Sequence, residues 1–364
     1  MMKMLLVLVS ALTVQCADIN NVFSASELSF CTRIRTPELV GNSNAILVIA
    51  RCCGANRCSG KTSTGRDDFP PLGDNNADGT VIMKRSTDQG QSWGNFKVIS
   101  PIDSRNKPLL SYSNGAGIWD GIRKRIVVQY QFYRGDGNTA PTVNASMFQI
   151  MTSDEGDTWT PAVDITRQLS KCNPDINNMM DPSAGNKIQT PSGRLVWAGH
   201  DHAGRVCVWF SDDGGASYST SNFVQGNEVS LVNLGGSNLL MNGRGQQFNY
   251  NGHRANYFST DNGASWSGPS ESALDDDDGH GCERSMRNID GILYTVEPQG
   301  AKRTSMTISC SKDGGKTWPS SRGINGDARG GYSDLLPING GILVVWEDGN
   351  TGNMFSAQIG NGWC

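Results

Sequence analysis

Two side chains in separate motifs, a phenol and a carboxylate, are of types that could act together in catalysis. Tyr332 stands in GGYSDL and Glu228 in QGNEVS. A tyrosine hydroxyl has an ordinary pKa of about 10, so it attacks as a nucleophile only when an adjacent base accepts its proton. A carboxylate can be that base. Each residue alone has a simpler interpretation, a packing aromatic for Tyr332 and a strand-edge charge for Glu228.

Arginines in three other motifs have the chemistry to bind a planar anion. Arg35 lies in IRTPEL, Arg244 in MNGRG and Arg303 in GAKRTS. Guanidinium groups stay charged at any working pH and offer paired donors to a carboxylate, whereas lysine presents a single point charge. If these groups converge, they form a pocket for an anionic substrate. If they do not, they are solvated turn residues, so the elements that position them decide the question.

A short turn with an aspartate, a glycine and an aromatic residue occurs five times. The copies are STDQGQSWG from Ser86, TSDEGDTWT from Thr152, SDDGGASYS from Ser211, STDNGASWS from Ser259 and SKDGGKTWP from Ser311. They recur at roughly fifty to sixty-five residues, about the length of one four-stranded sheet with its loops. In each copy the aspartate can accept hydrogen bonds from turn amides, and the aromatic ring can pack against the sheet. The repeat therefore carries information on the fold and, by itself, none on chemistry.

The segments around these turns read as short β-strands, such as TVIMKRS, RVCVWFS and GILVVWE, and no segment has a long helical periodicity. Repeated β-units of this size predict a β-propeller, whose loops converge at one end of a central axis. Five turns imply at least five blades. A further strand, GILVVWE, lies between Pro337 and Trp363 and could close the ring with N-terminal residues. We therefore predict an all-β fold, a six-bladed β-propeller of four-stranded antiparallel sheets.

The composition and the start of the chain favour a secreted protein that does not bind nucleic acid. Charged residues make up 18% of the chain and the net charge is −4, which provides no broad electropositive surface for a phosphate backbone. The segment MMKMLLVLVSALTVQCA predicts a signal peptide over residues 1–16, followed by one catalytic domain over residues 17–364. No later apolar run approaches the roughly twenty residues of a membrane-spanning helix. We expect a soluble, extracellular, monomeric protein.

The cysteine content fits an oxidising compartment. Nine cysteines follow the predicted signal peptide: Cys31, Cys52, Cys53, Cys58, Cys172, Cys207, Cys282, Cys310 and Cys364. Because the number is odd, one thiol should stay reduced or pair between chains. The cluster CCGANRC is best interpreted as a short disulfide loop, since no histidine is near to complete a metal site. Asn144 begins a glycosylation sequon, NAS, consistent with a secreted glycoprotein.

Two polar clusters could suggest metal binding, and neither has a suitable ligand set. The HDH segment from His200 to His202 lacks a nearby third ligand. The run from Asp275 to Asp278 lacks the spacing of a calcium loop and is interpreted as a solvated acidic loop. Arg254, which precedes the fourth turn, is interpreted as structural. We predict no metal and no cofactor.

Taken together, these motifs resemble the sialidase (neuraminidase) superfamily, with its Asp-box (BNR) repeats, over nearly the whole mature chain. IRTPEL resembles the family's Arg-Ile-Pro motif and implies that Arg35 is the first substrate-binding arginine. Arg51, after the strand AILVIA, matches a second arginine that lies beside the ring substituents of the sugar. The segment QGNEVSLVNLGGSNLLMNGRG implies an activating glutamate at Glu228 and a carboxylate-binding arginine at Arg244.

The remaining site residues follow from the same resemblance. EPQGAKRTSMTIS implies the third carboxylate-binding arginine at Arg303, and the nearby alternatives are Arg322 and Arg329. GGYSDL matches the nucleophile motif and gives that role to Tyr332. VVWEDG places at Glu347 the glutamate that steadies Arg35.

Two more positions come from loops that are less similar to the family. LGDNNADGTVIMKRS resembles the segment with the acid/base aspartate, which we assign to Asp74, with Asp78 and the pair Asp67 and Asp68 as alternatives. In SYSNGAGIWDG, Asn114 takes the position of a residue near the glycerol or acyl part of sialic acid, although Gly115 replaces the usual proline.

The resemblance implies an exo-α-sialidase that hydrolyses terminal α-linked sialic acids from glycoproteins, glycolipids or oligosaccharides, with retention and through a tyrosyl-enzyme intermediate. A neutral phenol suits this substrate, because a carboxylate nucleophile would be repelled by the carboxylate on the reacting carbon. The alternatives are transfer to a sugar hydroxyl, including the sialic acid's own, and a propeller that binds sialic acid without cleaving it. A scaffold propeller without a sugar site would leave the arginine motifs unexplained.

Overall fold

A computed structural model describes most of the chain, and its gaps fall at the start and in several connections. The described residues are 18–24, 27, 31–54, 79–100, 110–134, 146–172, 181–182, 185–201, 203–245, 248, 250, 252–276, 282–300, 302–349 and 351–364. Within the strands, the side chains of residues 31–35, 53–54, 110–114 and 133–134 are not described. The predicted signal peptide and the sequon at Asn144 therefore lie outside the described residues.

The described strands form six antiparallel sheets. Strand β1 (Ile19–Phe23) comes first in the chain and belongs to the last sheet. The first blade contains β2 (Cys31–Gly41), β3 (Ile46–Gly54), β4 (Gly79–Ser86) and β5 (Lys97–Val98). The second contains β6 (Leu110–Asp120), β7 (Arg125–Arg134), β8 (Ser146–Thr152) and β9 (Val163–Asp164), followed by a 3₁₀ helix at Thr166–Leu169. The third contains β10 (Ile188–Gln189), β11 (Leu195–His200), β12 (Arg205–Ser211) and β13 (Ser219–Thr220), with β14 (Val224–Gln225) also paired to β12.

The other three blades repeat the four-stranded pattern. The fourth contains β15 (Val229–Gly235), β16 (Asn238–Gly243), β17 (His253–Ser259) and β18 (Ser267–Asp275). The fifth contains β19 (Ser285–Ile289), β20 (Ile292–Gly300), β21 (Thr304–Ser311) and β22 (Ser320–Gly323). The sixth contains β23 (Ser333–Ile338), β24 (Gly341–Glu347) and β25 (Met354–Gly360), with β1 as its outer strand. The predicted six-bladed β-propeller is confirmed.

The two ends of the chain share one blade. β1 pairs antiparallel with β25, with Ile19 opposite Ala357 and Asn21 opposite Phe355. The last three strands of the chain thus obtain their fourth strand from its beginning, as the sequence predicts. This pairing closes the ring and gives β25 a neighbour on both sides, so the exposed edge it would otherwise present is covered.

The first strand of each blade faces the central axis. A cavity of about 540 Å³ is lined by residues from β2, β6, β10, β15, β19 and β23, so these six strands surround one space. The second strands are buried on both faces between neighbouring blades. They therefore read as unbroken apolar runs, such as Ile46–Ala50 and Ile342–Trp346, in which every side chain is almost fully buried.

The repeated turns join the third and fourth strands of the first five blades. In the fourth blade, Asp261 accepts hydrogen bonds from the Ser265 amide at 2.9 Å and the Ser259 hydroxyl at 2.7 Å. Gly263 has a φ of +84° and donates its amide to the Ser259 hydroxyl at 2.8 Å. Trp266 is buried against the blade core. The turn is therefore a self-contained structural unit, as its composition predicts.

The strand directions give the propeller two chemically different faces. In an antiparallel blade the start of the first strand, the end of the second and the start of the third lie at one edge, which we call the upper face. The third strand ends at the opposite edge, so the five repeated turns lie on the lower face. Polar residues at the upper face are thus the ones that can meet above the axis.

Two disulfides link cysteines whose side chains are described. Cys172 pairs with Cys207, and Cys310 pairs with Cys364. Cys52, in the CCGANRC cluster, is also disulfide-bonded. Cys282 keeps a buried thiol, which agrees with the expectation from the odd number of cysteines. No helix in the described part of the chain is long and apolar enough to cross a membrane.

Candidate active site

The upper face brings several predicted site residues to the ends of strands around the axis. Glu228 and Tyr332 directly precede β15 and β23, which are first strands of their blades. Arg244 directly follows β16, and Arg303 lies in the turn from β20 to β21. Glu347 ends β24. Residues as far apart as Glu228 and Tyr332 therefore converge at one edge, because each stands at a strand end on the upper face.

Tyr332, Glu228 and Arg244 form one hydrogen-bonded chain. The Tyr332 hydroxyl donates to Glu228 Oε1, and Arg244 Nη1 donates to Glu228 Oε2 at 2.7 Å. Tyr332 and Glu228 are each 8% exposed, so the contact lies in a recess. The geometry fits a nucleophile and its base, because a hydroxyl that donates to a carboxylate can pass its proton along the same bond.

The cationic neighbours of Glu228 keep its carboxylate ionised despite its burial. Burial alone would raise the pKa of Glu228, but Arg244, then His200, and the Tyr332 hydrogen bond lower the pKa to about 2. Burial alone would likewise lower the pKa of Arg244, but the adjacent Glu228 raises it above its ordinary value. Both groups are therefore ionised at neutral pH. The carboxylate is available as a proton acceptor and the guanidinium as an anion-binding group.

Arg303 lies against the aromatic ring of Tyr332. Its guanidinium carbon is 5.6 Å from the ring centroid, within the range of a cation–π contact. Arg303 has a φ of +58°, so the turn that carries it adopts a left-handed conformation uncommon for a residue with a side chain. Burial would lower the pKa of Arg303, but the neighbouring Cys282 and Tyr332 raise it above its ordinary value. The structure thus places a second cation beside the Tyr332 ring. The substrate-binding role of Arg303 stays a prediction.

Glu347 is fixed beside the tyrosine by the backbone of the sixth blade. The Glu347 amide donates to the Tyr332 carbonyl at 2.9 Å, and the Gly331 amide donates to the Glu347 carbonyl at 3.0 Å. The Glu347 side chain is fully buried. A Cβ at Gly331 would lie 2.6 Å from Glu347 Oε1, so only glycine leaves room for that carboxylate. The second glycine of GGYSDL, Gly331, is therefore required by its packing against Glu347.

Part of the predicted site involves residues or side chains that the structure does not describe. Arg35 lies in β2 and pairs in register with Arg51 of β3, so the two backbones are adjacent at the upper end of the first blade. The Arg51 side chain is 3% exposed. The side chains of Arg35 and Asn114 are outside the described ones. Asp74 and its alternatives Asp67, Asp68 and Asp78 lie outside the described residues, and the acid/base assignment stays a prediction.

A model of the BNR repeat-like domain matches residues 73–345 of the chain. The chain belongs to the BNR repeat-like family, within the sialidase superfamily. The sialidase relatives agree with this. Over 300 residues the chain is 23% identical to a sialidase of Paraclostridium sordellii, in an alignment that covers 73% of this chain and 72% of that one. It is 25% identical over 227 residues to a sialidase of Clostridium perfringens, and that alignment covers 57% of each chain.

Solved structures with the same fold include both sialidases and trans-sialidases. The Hadza microbial sialidase Hz136 superposes with a TM-score of 0.76 at 21% identity, over 94% of this chain and 68% of that one. The intramolecular trans-sialidase from Ruminococcus gnavus superposes with a TM-score of 0.72 at 15% identity, over 93% and 97%. These likenesses support the fold. The predicted membership of the sialidase superfamily is confirmed.

The superfamily motifs did not indicate His200, whose charge interaction with Glu228 contributes to lowering the pKa of that carboxylate. His200 ends β11, the second strand of the third blade, and exchanges backbone hydrogen bonds with Asp181. Its sequence context suggested only a weak metal site, and no cluster of three or more metal-ligating side chains occurs among the described residues. The end of a second strand is also where Arg244 and Glu347 lie. A search of every blade for polar residues at the end of its second strand would have found His200.

The interpretation of the acidic run as a solvated loop is wrong for Asp276. Asp276 is 1% exposed and pairs with Arg254, which is also fully buried, at 2.8 Å. The partner lies in the neighbouring strand, and no local pattern in the sequence predicts that contact. Asp275, beside it, is exposed as expected.

Proposed function

We propose that this protein is an exo-α-sialidase that hydrolyses terminal α-linked sialic acids from glycoconjugates by a retaining mechanism. The observation that carries the proposal is the Tyr332–Glu228–Arg244 chain, a phenol bonded to a buried, ionised carboxylate whose other oxygen is bonded to an arginine. Family membership and two sialidase relatives support the substrate class.

The arginines provide the binding step of the proposed reaction. Arg244 is bonded to Glu228, the partner of the Tyr332 hydroxyl, and Arg303 lies over the Tyr332 ring. The carboxylate of sialic acid would pair with their guanidinium groups, together with that of Arg35. Since that carboxylate is attached to the reacting carbon, its binding also brings the carbon to the phenol. Binding and orientation thus come from the same contacts.

Substrate binding would also prepare the base. In the free protein the positive charge of Arg244 contributes to holding the pKa of Glu228 at about 2, which makes it a weak proton acceptor. A bound carboxylate shares that positive charge, so the pKa of Glu228 rises when the proton of Tyr332 must be accepted. The nucleophile would therefore be activated when substrate is present.

The covalent steps follow from this arrangement. The Tyr332 oxygen forms a bond to the anomeric carbon, its proton passes to Glu228, and the glycosidic oxygen leaves with a proton from Asp74. Water then gives a proton back to Asp74 and attacks the same carbon, and the tyrosyl bond breaks as Glu228 returns the proton to the phenol oxygen. Two displacements at one carbon retain its configuration.

Transfer is the competing outcome at the second step. If a sugar hydroxyl or the sialic acid's own hydroxyl takes the place of water, the product is a new glycoside or an internal anhydro sugar. A structural neighbour from Ruminococcus gnavus is an intramolecular trans-sialidase, which makes this the second candidate. Mass analysis of the released sugar separates the two, because the anhydro product lacks one water.

A fluorogenic α-sialoside assay on the wild type and on Tyr332→Phe tests the proposal. We expect measurable turnover by the wild type and a loss of about 10³-fold or more in kcat for the variant, because the nucleophile is absent. Tyr294→Phe is the matched control, since Tyr294 packs in the fifth blade against Trp363. Its activity should equal that of the wild type.

Two other results would point to different functions. Sialic acid binding without turnover by the wild type would contradict catalysis and favour a binding protein. Neither turnover nor binding would favour a scaffold. We also propose that the protein is secreted, on the basis of its N-terminal segment and its disulfides.

A further inference from the structure

Behind Arg244 lies a buried ion pair that the proposed reaction does not use directly. Arg254, in β17, and Asp276, directly after β18, are 0% and 1% exposed, and their side chains are 2.8 Å apart. Removing two charges from water costs several kcal/mol per ion, and a buried pair often contributes no net stability over apolar residues. The pair therefore calls for an explanation other than stability.

Each partner is bonded to a segment at the upper face. Asp276 Oδ2 accepts the Gly245 amide at 2.6 Å, directly after Arg244. Arg254 Nε donates to Asn242 Oδ1 at 2.7 Å, two residues before Arg244. The pair is thus hydrogen-bonded to the chain on both sides of the proposed carboxylate-binding arginine.

The same pair reaches the segment before the fifth blade. Arg254 Nη1 also donates to the Cys282 carbonyl at 2.9 Å. Asp276 is fixed in turn by its own amide, which donates to the Gly252 carbonyl at 2.6 Å. The pair is therefore anchored to two separate connections, in addition to the strand that leads to Arg244.

The turn at Arg244 has no room to adjust. A Cβ at Gly245 would lie 1.8 Å from the His253 carbonyl oxygen, so the backbone is pressed directly against β17. On the other side, the Arg244 amide donates to the Glu228 carbonyl at 3.2 Å. The position of the Arg244 backbone is determined by Asp276 on one side and by the base on the other.

We propose that the Arg254–Asp276 ion pair positions Arg244 so that its guanidinium can hold the substrate carboxylate and Glu228 at once. The inference rests on the proposed function and deepens it by assigning two residues that touch neither substrate nor reacting atoms. Asp276 fixes the turn, Arg254 fixes Asp276 and Asn242, and the binding energy of the carboxylate depends on both.

Asp276→Asn is the most direct test. Asparagine has the size of aspartate but one acceptor oxygen in place of two, so either the Gly245 amide or the Arg254 guanidinium then faces an NH₂ group. We expect KM for a fluorogenic α-sialoside to rise about tenfold, with a smaller fall in kcat, because a displaced arginine weakens binding first. Arg254→Lys, which keeps the buried cation but not the Nε bond to Asn242, should shift KM in the same direction.

A second measurement separates positioning from general destabilisation. The ratio of the affinity for free sialic acid to that for its methyl ester reports the contribution of the carboxylate. This ratio should fall severalfold in Asp276→Asn. It should not change in the control Asp120→Asn, because Asp120 is a buried carboxylate with hydrogen bonds to Gln189 and Arg123 at the lower face.

The outcomes distinguish the two proposals. A folded Asp276→Asn or Arg254→Lys with the wild-type KM and the wild-type acid-to-ester ratio would overturn the positioning role and leave the proposed function intact. If Asp276→Asn does not fold, the KM and the acid-to-ester ratio of Arg254→Lys decide whether the positioning role holds. A wild type that neither binds sialic acid nor cleaves the sialoside would overturn the proposed function itself.

Discussion

Glu228, the proposed base, is also a charged group in the protein interior. Its two oxygens are used by different partners, Tyr332 on one and Arg244 on the other. The arginine offsets the cost of burial, and the tyrosine hydroxyl directs its proton at the carboxylate. Removing either partner should therefore change stability and chemistry together.

The pH dependence of stability tests the charge state of Glu228. Its pKa in the folded protein is about 2, below the ordinary value of 4.5, so the ionised form stabilises the fold. This stabilisation is complete above about pH 4.5 and is lost as the pH falls toward 2. Glu228→Gln should lower the free energy of unfolding at pH 7 by on the order of 3 kcal/mol.

Urea unfolding at pH 7, 5 and 3.5 measures this effect. The difference between Glu228→Gln and the wild type should stay constant from pH 7 to 5 and narrow at pH 3.5. Glu271→Gln, at an exposed position on an outer strand, is the control. A difference that did not change with pH would contradict an ionised Glu228 with a lowered pKa.

At the scale of elements, the repeated structural turns and the candidate site lie at opposite ends of the blade strands. The repeated turns lie where third strands end, and the candidate site lies where first strands begin and second strands end. Asp261 makes its hydrogen bonds within its own turn, with Ser259 and Ser265. A change in such a turn should alter stability without reaching the site.

Asp261→Ala tests this separation. The loss of the hydrogen bonds to the Ser265 amide and hydroxyl should lower the free energy of unfolding by about 1–2 kcal/mol. The value of kcat/KM for an α-sialoside should stay within twofold of the wild type, because the turn lies on the lower face. Asp18→Ala, at an exposed aspartate outside any repeat, should change neither quantity. A large fall in kcat/KM without loss of stability would show that the turn acts on the site.

At the scale of the whole molecule, strand pairing closes the ring, and a covalent link joins the fifth blade to the segment after the sixth. β1 completes the sixth blade, and the Cys310–Cys364 disulfide joins β21 of the fifth blade to the chain end beyond the sixth. The disulfide encloses 54 residues of sequence. Both features join segments that are distant along the chain, and the disulfide, being covalent, restricts the unfolded state as well as the folded one.

The double variant Cys310→Ser and Cys364→Ser should be less stable and equally active. Loss of a link across a loop of this length should reduce the free energy of unfolding by about 2–4 kcal/mol. The kcat at 25 °C should not change, since β21 reaches this disulfide at the lower face. Chemical unfolding and the sialoside assay measure the two effects. An unchanged stability would contradict a stabilising role for the link.

The sequence predicted the repeated elements better than the long-range contacts. The five turns carry their own hydrogen bonds, so a local pattern such as that around Asp261 was enough to locate the blades. Tyr332, Glu228 and Arg244 were predicted as site residues through motif resemblance, because nothing local relates residues so far apart. The interpretation of Asp276 as solvated was wrong, since its burial depends on Arg254 in the neighbouring strand.

Buried charges near the axis were missed for the same reason. Lys187 lies 3.6 Å from Glu38, and both side chains are almost completely buried. Glu38 comes from the first blade and Lys187 from the third. Neither has a charged partner at a regular spacing in the sequence. Only the closure of the ring brings such groups together.

The central claim is that the Tyr332 oxygen forms a bond to the substrate while the arginines hold its carboxylate. Incubation with 2,3-difluorosialic acid, which is a covalent intermediate ligand in the Trypanosoma rangeli sialidase, tests this most directly. We predict that intact mass rises by one fluorosialosyl group and that peptide mapping assigns it to Tyr332. Tyr332→Phe should remain unlabelled. Labelling of another residue, or sialoside turnover by a wild type that never becomes labelled, would contradict the account.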